Sequence, residues 1–376
     1  MARSAVPSKQ SQLTLSDGQV AAQCQSLVRF FRGQRLFDRV PLVIVGAGVS
    51  CGKVPLLTDI GKWFHNELKD APIACGYDWI KAHAESIGNG SASRRQAAEF
   101  FSAMQVPNGE FERIWGSFSG AFLGGPLKLP SGPTFDGIAS ATVKPTDAHR
   151  VLARFLSQRD AYVVSLNFDG LTHRSVLELC GQGTVLHSSH DIENYFCADT
   201  KSSVPAVVKI RGDVFYARCK TPTCGLSVIP YPIDRLRPQA TPGLPLHCPN
   251  CSGTGLLLQF EFPGYRSKEE LAYSMLDSLR GFLKSRVSGL IIVGFSGRWD
   301  RYMLEFLFNL AVAQRIPVID VKPPDASSDL IKRFCQLYYP SIRSVDSHQL
   351  SAAPTFLRVH TDADTFFTRL QEAWYE

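Results

Sequence analysis

Four cysteines carry the plainest chemistry in the chain. Cys219 and Cys224 are separated by four residues, and Cys248 and Cys251 by two, Pro249-Asn250. Two such knuckles joined by a long loop suit a tetrahedral Zn²⁺ ion. Four thiolates leave no open coordination position, so the metal is expected to be structural and not catalytic. The other six cysteines (Cys24, Cys51, Cys75, Cys180, Cys197 and Cys335) are isolated in sequence, and core packing is the expectation for them.

A second group of residues is small or polar and follows apolar runs. Gly46-Ala-Gly-Val-Ser50 follows Pro41-Leu-Val-Ile-Val45, Asn167-Phe-Asp169 follows Tyr162-Val-Val-Ser-Leu166, and Gly294-Phe-Ser296 follows Gly289-Leu-Ile-Ile-Val293. Small residues after a strand let backbone N–H groups approach a pyrophosphate. Tight strand-to-helix turns need glycine anyway, so one such turn is weak evidence by itself. Cys51 stands where the six-residue dinucleotide fingerprint has its third glycine. Gly52-Lys53 is followed by Val54, not by the Ser or Thr of a phosphate loop.

Several elements must position these residues. An amphipathic helix is expected over 18–33, opened by Ser16-Asp17. Further strands are expected at Ala206–Ile210, Pro317–Asp320 and Leu357–His360, with helices over 148–158, 267–285, 301–314 and 363–374. The strands are short, β-branched and apolar on both faces, and helices separate them. That pattern implies α/β class, with a parallel sheet covered on both sides. Ligands bind such sheets at the carboxyl ends of the strands, where the chain order reverses. Residues 60–145 lack a clean strand signal, and helical stretches (60–68 and 94–104) alternate there with a Gly/Pro-rich segment, 120–133.

Bulk properties narrow the classes. The chain has 376 residues, 44% hydrophobic and 20% charged, as ordinary globular proteins do. Its net charge of +6 is spread out. The densest basic stretch, Arg29, Arg32, Arg35 and Arg39, is interleaved with Phe30, Phe31, Leu36 and Phe37, which argues against direct nucleic-acid binding. No apolar run approaches the roughly 20 residues of a bilayer span, and residues 1–17 lack a signal-peptide core. A reducing cytoplasm is therefore expected, with close cysteine pairs used for metal.

Taken in order, these motifs resemble the sirtuin family across residues 41–322. Gly46-Ala-Gly-Val-Ser50 is similar to the family's first cofactor turn, and Pro145-Thr-Asp-Ala-His149 to its Pro-x-x-Ala-His. Ser165-Leu-Asn-Phe-Asp-Gly-Leu171 resembles the Thr-Gln-Asn-x-Asp-Gly-Leu strand end. Lys209-Ile-Arg-Gly212 falls where the family has His-Gly, Gly294-Phe-Ser296 matches Gly-Thr-Ser, and Asp320 sits where a ribose-binding Asn is usual. The resemblance implies a Rossmann-like parallel sheet holding NAD⁺, an inserted helical module and a small zinc ribbon. The corresponding segments are 1–59, 145–212 and 257–376 for the sheet domain, 60–144 for the module and 213–256 for the ribbon. By position, Gly46, Ala47, Gly48 and Ser50 would contact the pyrophosphate side. Asn167 and Asp169 would surround the nicotinamide ribose, and Gly294, Ser296 and Asp320 would hold the adenosine end.

Three departures matter. Cys51-Gly-Lys-Val-Pro-Leu-Leu57 lacks the Pro-Asp-Phe-Arg of protein deacylases, Leu166 replaces a Gln, and Arg211 replaces the family histidine. With the inserted module, they resemble the NAD⁺ hydrolases of bacterial anti-phage defence. Expelling neutral nicotinamide needs no general acid, so orientation and electrostatics supply much of the rate. A deacylase needs a base, and a guanidinium stays protonated. Hydrolysis of NAD⁺ to ADP-ribose and nicotinamide by Asn167, Asp169 and Arg211 is thus expected ahead of deacylation, with NAD/ADP-ribose sensing without turnover as the alternative. Arg211 pairing with Asp169 or a phosphate, or His173, His187 or His190 serving as base, stay open. A silent effector also implies a homo-oligomer or a complex with a neighbouring defence protein.

Overall fold

The computed structural model describes residues 16–54, 143–197, 204–219, 221, 223–225, 231–232, 247–253, 256–260, 270–297, 300–324 and 355–376, with isolated positions between. The helices expected over 60–68 and 94–104 lie outside the described residues, as do Cys75 and Cys335.

The chain opens with helix α1 (Asp17–Arg35). Ser16 closes a capping box, its Oγ accepting from the Gln19 N–H while Gln19 Oε1 accepts from the Ser16 N–H. Strand β1 (Val40–Val45) follows and runs into a single 3₁₀ turn, Ala47–Ser50. Within the region expected to be a helical module, Leu127–Lys128 (β2) and Thr134–Phe135 (β3) form an antiparallel pair. Two residues per strand are too few to leave an alternating sequence signal. Helix α2 (Asp147–Ser157), strand β4 (Tyr162–Ser165) and strand β6 (Ala206–Lys209) lie where expected. Between them the structure adds helix α3 (Leu171–Cys180), strand β5 (Thr184–Leu186) and helix α4 (Ser189–Cys197).

Gly212 then takes φ +82°, a left-handed conformation that turns the chain out of the sheet. It enters a separate antiparallel sheet, order β8-β7-β9, of β7 (Gly212–Cys219), β8 (Tyr231–Pro232) and β9 (Leu256–Phe260). The main sheet resumes after α5 (Glu270–Leu283) with β10 (Val287–Val293), α6 (Arg301–Gln314), β11 (Val318–Lys322), β12 (Phe356–His360) and α7 (Ala363–Tyr375).

Seven strands form the main sheet in the order β12-β11-β10-β1-β4-β6-β5, every neighbouring pair parallel. Alternate residues of each strand feed opposite cores. Val43, Val45, Ile291 and Val293 pack with α1, α2 and α7, whereas Leu42, Ile44, Leu290 and Ile292 pack with α5 and α6. Each fully buried Val, Ile or Leu contributes roughly 1.5–3 kcal/mol, so both-face apolar strands are held firmly in the middle of the sandwich. The chain builds outward from β1 on one side, then returns to build from β10 on the other. The carboxyl ends of β1 and β10 therefore form the switch point, where open α/β sheets bind ligands.

Candidate active site

At that switch point the glycines meet each other. A Cβ on Gly46 would lie 2.5 Å from the Gly294 carbonyl oxygen, and one on Gly48 would lie 2.7 Å from the Gly294 Cα. Gly294 itself has φ +68°. The Gly46 N–H donates to Val293 O at 2.8 Å and the Gly48 N–H to Gly294 O at 3.2 Å. These glycines thus have a backbone-packing reason to be glycine, independent of any phosphate. Ala47 and Gly48 remain exposed at the rim, and Ser296, two residues after Gly294, is half-buried.

Beneath this rim lies a buried polar cluster built from three separate segments. The Thr146 backbone N–H donates to His149 Nδ1 at 3.2 Å, so that nitrogen carries no proton. In the neutral ring Nε2 then holds the hydrogen, and it faces Ser50 Oγ at 3.2 Å. Ser50 Oγ also accepts from Asn167 Nδ2 at 3.1 Å and donates to Asp169 Oδ2 at 2.8 Å. The hydroxyl is saturated: two donors in, one proton out. Burial pushes the His149 imidazole below its ordinary value, as expected for a ring that stays neutral. The other Asp169 oxygen accepts from the Leu171 N–H at 3.0 Å and so begins α3. Asn167 Oδ1 has no hydrogen-bond partner among the described residues, although Asn167 is only 6% exposed.

Lys209 supports this cluster from below. Its buried ammonium donates to the backbone oxygens of Asn167 and Asp169, and lies 3.5 Å from the Asp213 carboxylate. It pins both ends of the Asn167-Phe-Asp169 turn. The motif Lys209-Ile-Arg-Gly212 assigns Lys209 no role, and its one local signal is a lysine closing an otherwise apolar strand.

Arg211 is 1% exposed and is held by Asp300, not by Asp169. Its Nε donates to Asp300 Oδ2 at 2.9 Å, and its terminal nitrogen lies 2.6 Å from the same oxygen. Asp300 Oδ1 accepts from the Met303 N–H and caps α6. Asp300 was missed because a cap so near the tryptophan-containing segment 296–300 reads as an ordinary helix start. Asp320 is buried on β11, its carboxylate 3.7 Å from Arg358 Nε on β12. Of the histidines considered as bases, His187 stacks edge-on against Tyr216 at 4.6 Å and His190 faces Asn194 at 2.9 Å. Burial lowers His173. The histidine that touches the cluster is His149.

The four thiols of the ribbon converge. Cys219 and Cys251 sulfurs lie 3.6 Å apart, those of Cys224 and Cys248 lie 3.7 Å apart, and all four fall within 4.8 Å of one another. A tetrahedral metal with bonds of about 2.3 Å sets sulfurs about 3.8 Å apart, so the geometry fits such an ion. The Thr221 N–H and Asn250 Nδ2 donate to Cys219 and Cys224 sulfurs at 3.4 and 3.3 Å. The Gly253 N–H holds the Cys251 thiol down at about 7, while burial pushes the neighbouring Cys248 thiol up to about 11.

No protein-family model matches the chain, and no curated protein matches it. Among solved structures it is similar to a Sir2 homologue mutant in complex with ADP-ribose, at 12% identity over 93% of this chain and 96% of that one, TM-score 0.49. It is also similar to a Sir2 homologue–NAD complex (12% identity, 90% and 93% covered, TM-score 0.45) and to Sir2 bound to an acetylated peptide (15%, 91% and 96%, TM-score 0.45). No helix among the described residues is long and apolar enough to cross a membrane. The fold is therefore that of an α/β protein with a seven-stranded parallel sheet, a buried Ser50–His149–Asn167–Asp169 cluster at its carboxyl edge, and a four-thiol ribbon fit for a metal.

Proposed function

We propose that the chain hydrolyses NAD⁺ at the nicotinamide–ribose bond, giving ADP-ribose and nicotinamide. The observation that carries this reading is the Asn167 carboxamide, whose Oδ1 is buried and unpartnered while its Nδ2 is fixed on Ser50. A buried acceptor without a partner costs about 1–3 kcal/mol, and a ribose hydroxyl or a water would satisfy it. Asp169 supplies a fixed negative charge beside it, suited to the cationic ribose that forms as nicotinamide leaves. The leaving group departs neutral, so no acid is required. His149 is committed to Thr146 and Ser50 and is not the base that deacylation would need. Gly46, Ala47, Gly48 and Ser50 would line the pyrophosphate side, with Gly294, Ser296 and Asp320 toward the adenosine.

Arg211, drawn to Asp300, acts in this reading by holding the start of α6 against the site. Zn²⁺ is the proposed occupant of the ribbon, where it has a structural role only. By the resemblance of its sequence motifs, the reaction would serve anti-phage defence in the cytoplasm, with activity released by self-assembly or by a neighbouring defence protein.

The test is NAD⁺ consumption by the purified chain, alone and with proteins encoded beside it. Nicotinamide release is expected, with Asn167→Ala slowing it about 10²-fold or more. Absence of turnover under every activating condition would refute it. A second reading, a NAD⁺ or ADP-ribose sensor, is favoured by one observation: Arg211, at the family's histidine position, is occupied by Asp300. It predicts a thermal shift with either ligand and no loss of NAD⁺.

A further inference from the structure

The opposite edge of the sheet carries a second cavity, of about 560 Å³. It spans the amino ends of four adjacent strands, touching Val40 of β1, Tyr162 of β4, Ala206 of β6 and Arg286 just before β10. The proposed NAD⁺ site lies at the carboxyl ends, so the two share no residue. The floor is apolar, including Leu42, Ala161 and Val208.

One wall is aromatic. Phe196 stacks on Phe282 at 3.8 Å, and Tyr162 meets both rings edge-on at 5.9 and 5.5 Å. All three rings, and Tyr195 beside them, are only partly buried and keep accessible surface. Arg286 lies over the Phe282 ring at 4.3 Å. The mouth carries Arg35, Arg159 and Arg286 together with Asp38. Arg35 also pairs with the buried Asp160 at 2.6 Å.

The backbone places these groups at a cost. Asp38 and Arg159 have φ of 56° and 57°, and Ser285, next to Arg286, has 69°. Glycine, and Asp through its short polar side chain, take that conformation readily, whereas Arg159 and Ser285 lose about 1–2 kcal/mol.

We propose that this amino-edge cavity is a binding site for a small molecule joining a flat aromatic ring to an anionic group, a carboxylate or a phosphate. The volume lies within the 300–1,000 Å³ of ordinary small-molecule sites. The ring would lie against the accessible edges of Tyr162, Phe196 and Phe282, whose faces already meet one another and Arg286, and the anion would meet Arg159 and Arg286.

The test uses the full-length chain and 8-anilinonaphthalene-1-sulfonate, a planar aromatic sulfonate that fluoresces when it leaves water. One saturable site per chain is expected. The exposed double variant Arg159→Gln/Arg286→Gln should weaken it tenfold or more, whereas Arg150→Gln, at the other edge, should not change it. Asn167→Ala should also leave it unchanged, which separates this site from the proposed NAD⁺ site. Displacement by phenyl phosphate, by indole-3-acetate or by both assigns the preferred anion. Circular dichroism and thermal melting of the double variant, unchanged from wild type, ensure that lost binding is not lost folding; if that variant melts, Phe282→Ala is read instead. Non-saturable binding, equal binding by wild type and the double variant, loss on Asn167→Ala, or failure of both competitors would overturn the proposal.

Discussion

Replacing Arg211 with methionine isolates the ion pair beneath the candidate site. Methionine keeps most of the side-chain length but removes the guanidinium, and Asp300 Oδ2 loses the two nitrogens that face it at 2.9 and 2.6 Å. Both side chains are nearly inaccessible, at 2% and 4%, so water cannot take the place of the lost charge. Breaking one partner of a buried pair costs about 3–5 kcal/mol, against a total stability of about 5–15 kcal/mol. Urea unfolding should therefore show a midpoint lower by about 1 M or more, taking a slope of about 3 kcal/mol/M. Adding Asp300→Asn removes the stranded charge while leaving Oδ1 to cap α6 through the Met303 N–H. The double variant should regain about half of the loss or more. If the single change costs under about 1 kcal/mol, or the two losses simply add, the pair is not what holds this corner.

Lys209→Met should cost about 1–3 kcal/mol by removing the donor to the buried Asn167 and Asp169 backbone oxygens, and should weaken NAD⁺ or ADP-ribose binding through the loosened Asn167–Asp169 turn; urea unfolding reads the first effect and calorimetric titration the second. One zinc per chain is expected by elemental analysis, and Cys251→Ser or a strong chelator should remove it and lower the melting temperature. Burial depresses the His149 and His173 imidazoles below their ordinary 6.5, so the unfolded chain binds protons more readily than the folded one. Their contribution is thus intact above that pH and is lost as pH falls below it; urea midpoints at pH 7.5 and 5.5 should differ, and less so in His149→Asn.

Much of the sheet was legible because its strands are apolar on both faces. Leu42–Val45 and Leu290–Val293 advertise themselves by apolar, largely β-branched runs, and their turns by glycine. Strand β5 was not legible, since three residues between two helices carry no period. Helix α3 was missed although Gly181, with φ +68°, marks its end. At the site, the spacing of Gly46–Ser50, His149 and Asn167–Asp169 gave the participants but not their bonds. His149 closes the cap of α2 through Nδ1, and its other nitrogen reaches Ser50, which no local pattern reveals. Asp300 was invisible for the same reason: its partner lies 89 residues away.

The ammonium of Lys209 has a consequence for how the molecule comes into being. It fastens a turn that lies 42 and 40 residues earlier in the chain, and it can do so only once β6 has docked alongside β4. Closing that interval is an entropic step that precedes any reward from the contact. A nascent or partly unfolded chain lacking β6 would thus have Ser50, Asn167 and Asp169 present but unarranged. Under the proposed NAD⁺ hydrolysis, chemistry would begin only after the sheet is built, so half-made copies would consume none.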